Sequence, residues 1–213
     1  MSVQEFGLEN DDVKSNNFQK FKGEKGKEYR VGLVAEDLNK GFLGAKTHYI
    51  EGTGTIVCKS SSEGEAVCCS HPYESNTPKW KIGISIIVYN LSADGKKLEN
   101  YKVIPWIFND RIYNQLKTQH TEWGLDQNDI LLKCTDSQYQ SFEISLKKGC
   151  IWRKGAKLKA ESLAEAEKQR KQIKRNLGRD LSNTELKEAL GIGDDSADAA
   201  AEMDLGDVAD VLD

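Results

Sequence analysis

Two histidines and three cysteines crowd into residues 48–71, "HYIEGTGTIVCKSSSEGEAVCCSH", out of three histidines and five cysteines in the whole chain. The residues between them are mostly small, polar or glycine, with too few large apolar side chains for a core. Zinc takes four N or S donors in a tetrahedron, and donors two to four residues apart let one turn present a pair. His48 and Cys58 flank "YIEGTGTIV", a Gly-containing stretch suited to a hairpin, and Cys68 and His71 form a C-x2-H pair. The expected metal ligands are therefore His48, Cys58, Cys68 and His71, with the adjacent Cys69 able to replace Cys68. Four protein ligands leave no open position for a substrate, so the Zn2+ would be structural. The paired His-x-Glu and Cys-x2-Cys signature of zinc deaminases is absent. The plainer alternative is that Cys58 and Cys68 are buried thiols and His48 an exposed strand residue.

The elements that must position these residues read as short strands. "YRVGLV" alternates Tyr29, Val31 and Leu33 against Arg30 and Gly32. "KWKIGISIIVY" sets Trp80, Ile82, Ile84, Ile86 and Val88 on one face and Lys79, Lys81, Ser85, Ile87 and Tyr89 on the other. An Asp-Gly turn in "ADGK" (93–96) leads to "LENYKVIPWIF", predicting a hairpin. A short helix opening at Asn109 or Asp110 separates this from "DILLKCT" and "YQSFEISLKKG". Parity places Trp80 in the core. The pattern predicts a mainly β protein, an OB-fold-like antiparallel barrel with an inserted zinc-binding subdomain, and a β-sandwich fits composition almost as well. From Lys157 the chain turns helical, with a thin apolar side of Leu163, Ala166, Ile173 and Leu177 and a basic second half. "SNTE" (182–185) reads as a capping box opening a second helix that Gly191 ends.

The expected organisation is a flexible arm over 1–27, an OB-fold-like core over 28–156 with the zinc insert at about 46–75, a helical segment over 157–192, and a disordered acidic tail over 193–213. The net charge of −4 is unevenly spread. Residues 194–213 hold eight acidic residues and no Lys or Arg; without them the charge becomes +4. Glu5, Glu9, Asp11 and Asp12 leave +8 on residues 14–193. A basic body of this kind suits a polyanion, with the tail competing for it or recruiting a partner. The opening "MSVQEFGLENDD" lacks a secretory signal pattern, and the longest apolar run, "ISIIVY", falls far short of a membrane span. The expected location is a reducing cytoplasm, where five cysteines are free or metal-bound. There is no Gly-rich phosphate loop, no acidic metal constellation and no nucleophile motif with a placed base, so no catalysis is expected.

"RVGLV", "KTHYIEGTGTIVC", "KWKIGISIIVY" and "FNDRIYNQL" occur in an order that resembles the single-stranded DNA-binding, helix-destabilising proteins of the large tailed phages, the T-even type. The resemblance covers roughly residues 27–155. It implies a zinc held by one His and three Cys, the last three ligands spaced by ten and then three residues. Cys58, Cys68 and His71 keep that spacing, with His71 where the family has a cysteine. It further implies a protein that coats and protects single-stranded DNA during phage replication, recombination and repair, in the host cytoplasm. Its partners would be replication and recombination proteins. The family's basic N-terminal arm has no counterpart in the acidic first residues, although Lys20, Lys22, Lys25 and Lys27 supply cations nearby. A monomer, or one weakly self-associating along the strand, is therefore expected.

Single strands are held by cations along the phosphates and by aromatic faces under the bases. The family's basic cluster matches Lys79 and Lys81. With Tyr89, Tyr101, Trp106 and Arg111 these form the expected binding set, supported by Arg30, Lys46 and Lys102, and Trp106 fits the core equally well. In the tail, "MDLGDVADVLD" interleaves Asp204, Asp207, Asp210 and Asp213 with Leu205, Val208, Val211 and Leu212, a pattern suited to docking on a partner. The competing reading is a zinc-containing interaction or transcription adaptor with incidental nucleic-acid contact.

Overall fold

A computed structural model describes residues 18–59, 69, 77–136 and 141–191 of the 213-residue chain. Alternating apolar side chains form seven strands among the described residues: β1 (Glu28–Leu33), β2 (Leu43–Ile50), β3 (Gly54–Val57), β4 (Lys79–Leu91), β5 (Leu98–Asn109), β6 (Asp129–Cys134) and β7 (Phe142–Lys147). The helices are α1 (Leu38–Gly41), α2 (Asp110–Trp123), α3 (Ile151–Lys154), α4 (Ala156–Leu177) and α5 (Asn183–Leu190). Every strand pair is antiparallel, in the order β3-β2-β4-β1-β6-β7. Long β4 carries both β2 and β1 along one edge, at Lys79–Gly83 and Ile86–Val88, and β5 along the other. A hairpin through Asp94 and Gly95 joins β4 to β5, with Gly95 at φ 69° and the Asp94 carboxylate accepting from Ser92 Oγ at 2.6 Å.

The sheet is mainly antiparallel but does not close as a barrel would, because β5 and β7 do not pair. Residues 18–27, expected as part of a flexible arm, partly fill that seam. Phe21 is buried; its backbone N–H donates to Pro105 O at 2.7 Å and its ring meets those of Trp106 and Phe142. Gly26 N–H donates to Cys134 O at 2.8 Å. The arm pairs here because a buried aromatic gives it apolar area to hide. α2 packs against β4, β5 and β7, and contributes Ile112 and Leu116 to the same core.

The other face of the sheet is also covered. α4 lies across β4 and β5, α3 packs against α4 and over β1, and each helix docks over a glycine. A Cβ on Gly32 would sit 2.6 Å from Trp152 Cδ1, and one on Gly83 2.5 Å from Ile173 Cγ2. Ser85 Oγ donates to Gln169 Oε1 at 2.9 Å, and Gln169 Nε2 to Val103 O at 3.0 Å, so these two buried side chains are paired across the junction of helix and sheet. α5 opens with the capping box expected from "SNTE": Ser182 accepts from Glu185 N–H while Glu185 reaches back to Ser182 N–H. Gly191 ends it in the left-handed conformation at φ 66°.

At the end of β6, Asp129 is fully buried. It accepts from Arg30 Nε at 2.9 Å and Nη2 at 2.8 Å, from Tyr89 Oη at 3.0 Å and from Ile151 N–H at 3.2 Å. Burial raises its pKa, while the Arg30 guanidinium opposes that shift. The same burial, with Asp129 alongside, raises the Tyr89 phenol, and burial pushes the neighbouring Cys150 thiol up to about 12. Removing one partner of a buried ion pair leaves an uncompensated charge, which costs about 3–5 kcal/mol. Arg30→Ala is expected to lower stability by about that amount, read as a shift of the urea midpoint. A loss below about 1 kcal/mol would put Arg30 among ordinary surface cations.

Candidate functional site

Two places in the fold gather chemistry. The first is the β2–β3 hairpin. His48 lies opposite Ile56 in the ladder, and Cys58 follows β3 with its N–H donating to Lys46 O at 2.8 Å. Cys69 comes back against them: its Sγ is 3.4 Å from Cys58 Sγ and 3.5 Å from His48 Nε2. Zinc bonds of about 2.3 Å to sulfur and 2.0–2.1 Å to nitrogen, set at the tetrahedral angle, put two sulfurs about 3.8 Å apart and sulfur and nitrogen about 3.6 Å apart. The three donors therefore fit around one ion, and the cluster could hold a metal. Burial lowers the His48 pKa, which favours the neutral imidazole that ligates. His48 is buried rather than exposed on its strand.

The cysteine that completes this trio is Cys69, the alternative to Cys68. Cys68 and His71 lie outside the described residues, as do all the tail residues from Asp204 to Asp213. Ile50, Ile56 and Cys58 pack with Leu181 and Leu186, so helix α5 closes over the cluster. A backbone bridge seals the join: Val57 N–H donates to Arg179 O and Arg179 N–H to Thr55 O, both at 2.9 Å.

The second place is a groove of about 970 Å³ where residues 18–22, the start of β4 and the end of β5 meet. Lys20, Lys22, Lys79 and Lys81 line it, with Phe18 and Trp80; Asp110 and Asn176 stand at its side. Lys81 is partly buried, and its Nζ donates to Thr55 Oγ1 at 2.9 Å. Burial, then the nearby Lys20 charge, lowers its pKa. Trp80 is 42% exposed, and Lys46 Nζ stands 5.8 Å from its ring centroid. Such a set, cations around an open indole face, can hold phosphates and stack a base.

Several expected positions prove to be elsewhere. Trp106, expected as a stacking residue, is 1% exposed and packs on Phe108 with ring centroids 4.4 Å apart. Tyr89 is buried because α3 covers its face of β4, and its hydroxyl also accepts from Trp152 N–H at 3.1 Å. Arg30 is committed to Asp129 and to Gly149 O. Tyr101 donates to Glu161 Oε2 at 2.7 Å on the α4 side, about 26 Å of strand from the groove at ~3.3 Å per residue. Lys102 is exposed but bonds Gln19 Oε1, and Arg111 lines a separate depression between α2 and β7. Lys46, Lys79 and Lys81 do converge.

Trp80 is the reverse correction: expected in the core by parity, it extends past the core's edge, where its cross-strand neighbour is Lys46. Lys20 and Lys22, noted only as arm cations, line the groove. The signal for both was "KFK" (20–22) and "KWK" (79–81), an aromatic between lysines at the start of an ordered segment. Among the described residues no helix is long and apolar enough to cross a membrane. Comparison with protein-family models, with curated proteins and with solved structures finds no match.

Purified protein is expected to carry bound metal that Cys58→Ser and Cys69→Ser each remove and Cys134→Ser leaves in place, measured by elemental analysis. Metal retained in Cys69→Ser and lost in Cys68→Ser would move the ligand back by one residue.

Proposed function

We propose that this protein binds single-stranded DNA without catalysis, in the manner of the phage helix-destabilising proteins it resembles. The observation that carries the reading is the groove: four lysines brought together around an exposed tryptophan, with Lys81 partly buried and Lys20 near enough to add to the lowering of its pKa that burial causes. Like charges held together in this way are relieved by an anion, and a stacking surface beside them selects an unpaired base.

The connectivity supports an OB-fold-like reading. β1, β4, β5, α2, β6 and β7 follow the strand and helix order of that fold, with the seam between β5 and β7 open. Such barrels are commonly partly open, and they bind oligonucleotides on the face of their second and third strands and on adjoining loops. Here those strands are β4 and β5, whose outer face α4 covers, so the groove lies at the start of β4 and the end of β5, and the β2–β3 hairpin with its His–Cys cluster is inserted just before them. The donor set, soft thiols with an imidazole, suits Zn2+, which would rigidify the hairpin. The acidic residues 194–213 fit the same proposal as a docking segment for replication and recombination proteins.

A titration with oligo(dT), followed by tryptophan fluorescence with duplex DNA as competitor, tests the reading. Of the four tryptophans, Trp106 and Trp152 are buried and Trp80 and Trp123 exposed. Quenching is expected to resist duplex, to disappear in Trp80→Phe and to survive in Trp123→Phe. Lys79→Ala with Lys81→Ala is expected to flatten the dependence of log K on log salt by about 1.4, at about 0.7 per phosphate contact on single strands. No quenching by any oligonucleotide would overturn the proposal and favour the adaptor reading.

A further inference from the structure

We infer that the strand-binding surface does not end at the groove but continues along the outer face of helix α4, over a ladder of three cations, Lys171, Arg175 and Arg179. The inference rests on the proposed single-strand binding and extends the site to residues on a different element.

Residues 168–179, "KQRKQIKRNLGR", contain six cations and no acid. The helix turns Gln169, Ile173 and Leu177 into the sheet and leaves the cations exposed. Lys171 and Arg175 stand four residues apart on one side of the helix. α4 ends at Leu177 and Gly178 is extended, so Arg179 is placed beside the helix end by its backbone bonds to Thr55 and Val57 rather than by the helix repeat. Charges one helical turn apart, about 5.4 Å, are spaced on the order of successive phosphates in an extended single strand.

Two contacts join the ladder to the groove. Asn176, between Arg175 and the helix end, lines the groove itself. Thr55 receives Lys81 Nζ on its hydroxyl and Arg179 N–H on its carbonyl, so the innermost groove lysine and the end of the ladder hang on one residue. A strand leaving the groove past Asn176 meets Arg175 next. Cations in the last turn also favour the helix dipole, but that effect fades beyond one turn and does not account for Lys171. Nor does it concern Arg179, which lies beyond the helix.

The test compares Lys171→Gln with Arg175→Gln in one variant against the parent, using a series of oligo(dT) lengths. Gln keeps helix propensity, and far-UV circular dichroism and the urea midpoint check that the fold is intact. On long oligonucleotides the salt slope is expected to fall by about 1.4, as for two lost phosphate contacts. The shortest oligonucleotide that quenches Trp80 fully should bind parent and variant alike, because it fills only the groove. Lys157→Gln, exposed at the opposite end of the same helix, serves as a one-charge control for position and should leave the slope unchanged. An unchanged slope for the double variant on long oligonucleotides overturns the ladder. So does a fall that Lys157→Gln matches, which would mark a bulk charge effect. Absence of quenching in the parent would instead remove the single-strand reading on which the ladder depends.

Discussion

Strand β4 is buried on both faces from Ile82 to Ile87, and the positions of the other candidate residues follow from that burial. Ile82, Ile84 and Ile86 face the core shared with Trp106, Phe108 and α2; Gly83, Ser85 and Ile87 face α3 and α4. A strand in this state has no side chain free for a ligand except at its ends. The lysines of β4 stand at its first and third residues, before full burial begins, and the groove forms there. The middle of the sheet, which in a half-buried strand would offer alternate residues to solvent, is closed by the long helix.

Covering the second face buries polar groups that cost free energy when left unpaired, and the charged and amide side chains there find local partners. Ser85 and Gln169 pair across the helix–sheet junction; Asp129 collects Arg30, Tyr89 and Ile151 N–H at the sheet's far end. An unpaired carboxylate at Asp129 would carry a desolvation penalty of several kcal/mol. The arginine and tyrosine that resembled a binding surface in sequence are therefore the counter-charge and hydrogen-bond donor of a buried acid. Their polarity serves the packing of α3 against the sheet.

Strand alternation, the Asp-Gly hairpin, the helix after Asn109 and the capping box at Ser182 were all legible, because each depends on neighbours within a few residues. The errors share another cause. Period-two alternation assigns a residue to a face but does not say whether a distant helix will cover that face, so Tyr89 was placed outside when α3 buries it. Nor does parity say where the core stops, so Trp80 was placed inside although the sheet extends past its packing. Trp106 is open in sequence between core and groove for a third reason: its strand lies between α2 and residues 18–22, and the packing of Phe21 beside it depends on a seam that no local pattern announces. The His–Cys cluster was legible in composition and in its hairpin. The choice between the adjacent thiols of Cys68 and Cys69 depends on the direction a short turn presents them, which spacing leaves open.

The hairpin and the groove are mechanically one unit. β3 is only four residues long, paired with β2 on one edge and, among the described residues, touched on the other by a single bridge to Arg179. Its apolar support, Ile56 with Leu181 and Leu186, is small, and a satellite core of that size benefits from a further crosslink. A metal joining His48, Cys58 and Cys69 would supply one, since its binding energy becomes folding energy for the segment it closes. Thr55 sits in the middle of β3 and holds both the Lys81 ammonium and the Arg179 backbone. Loosening the hairpin would therefore release the lysine at the groove and the end of the α4 ladder together. A metal bound there would not need to touch a ligand to affect the groove. It would act by fixing Thr55, one of the two contacts between the groove and the basic end of α4.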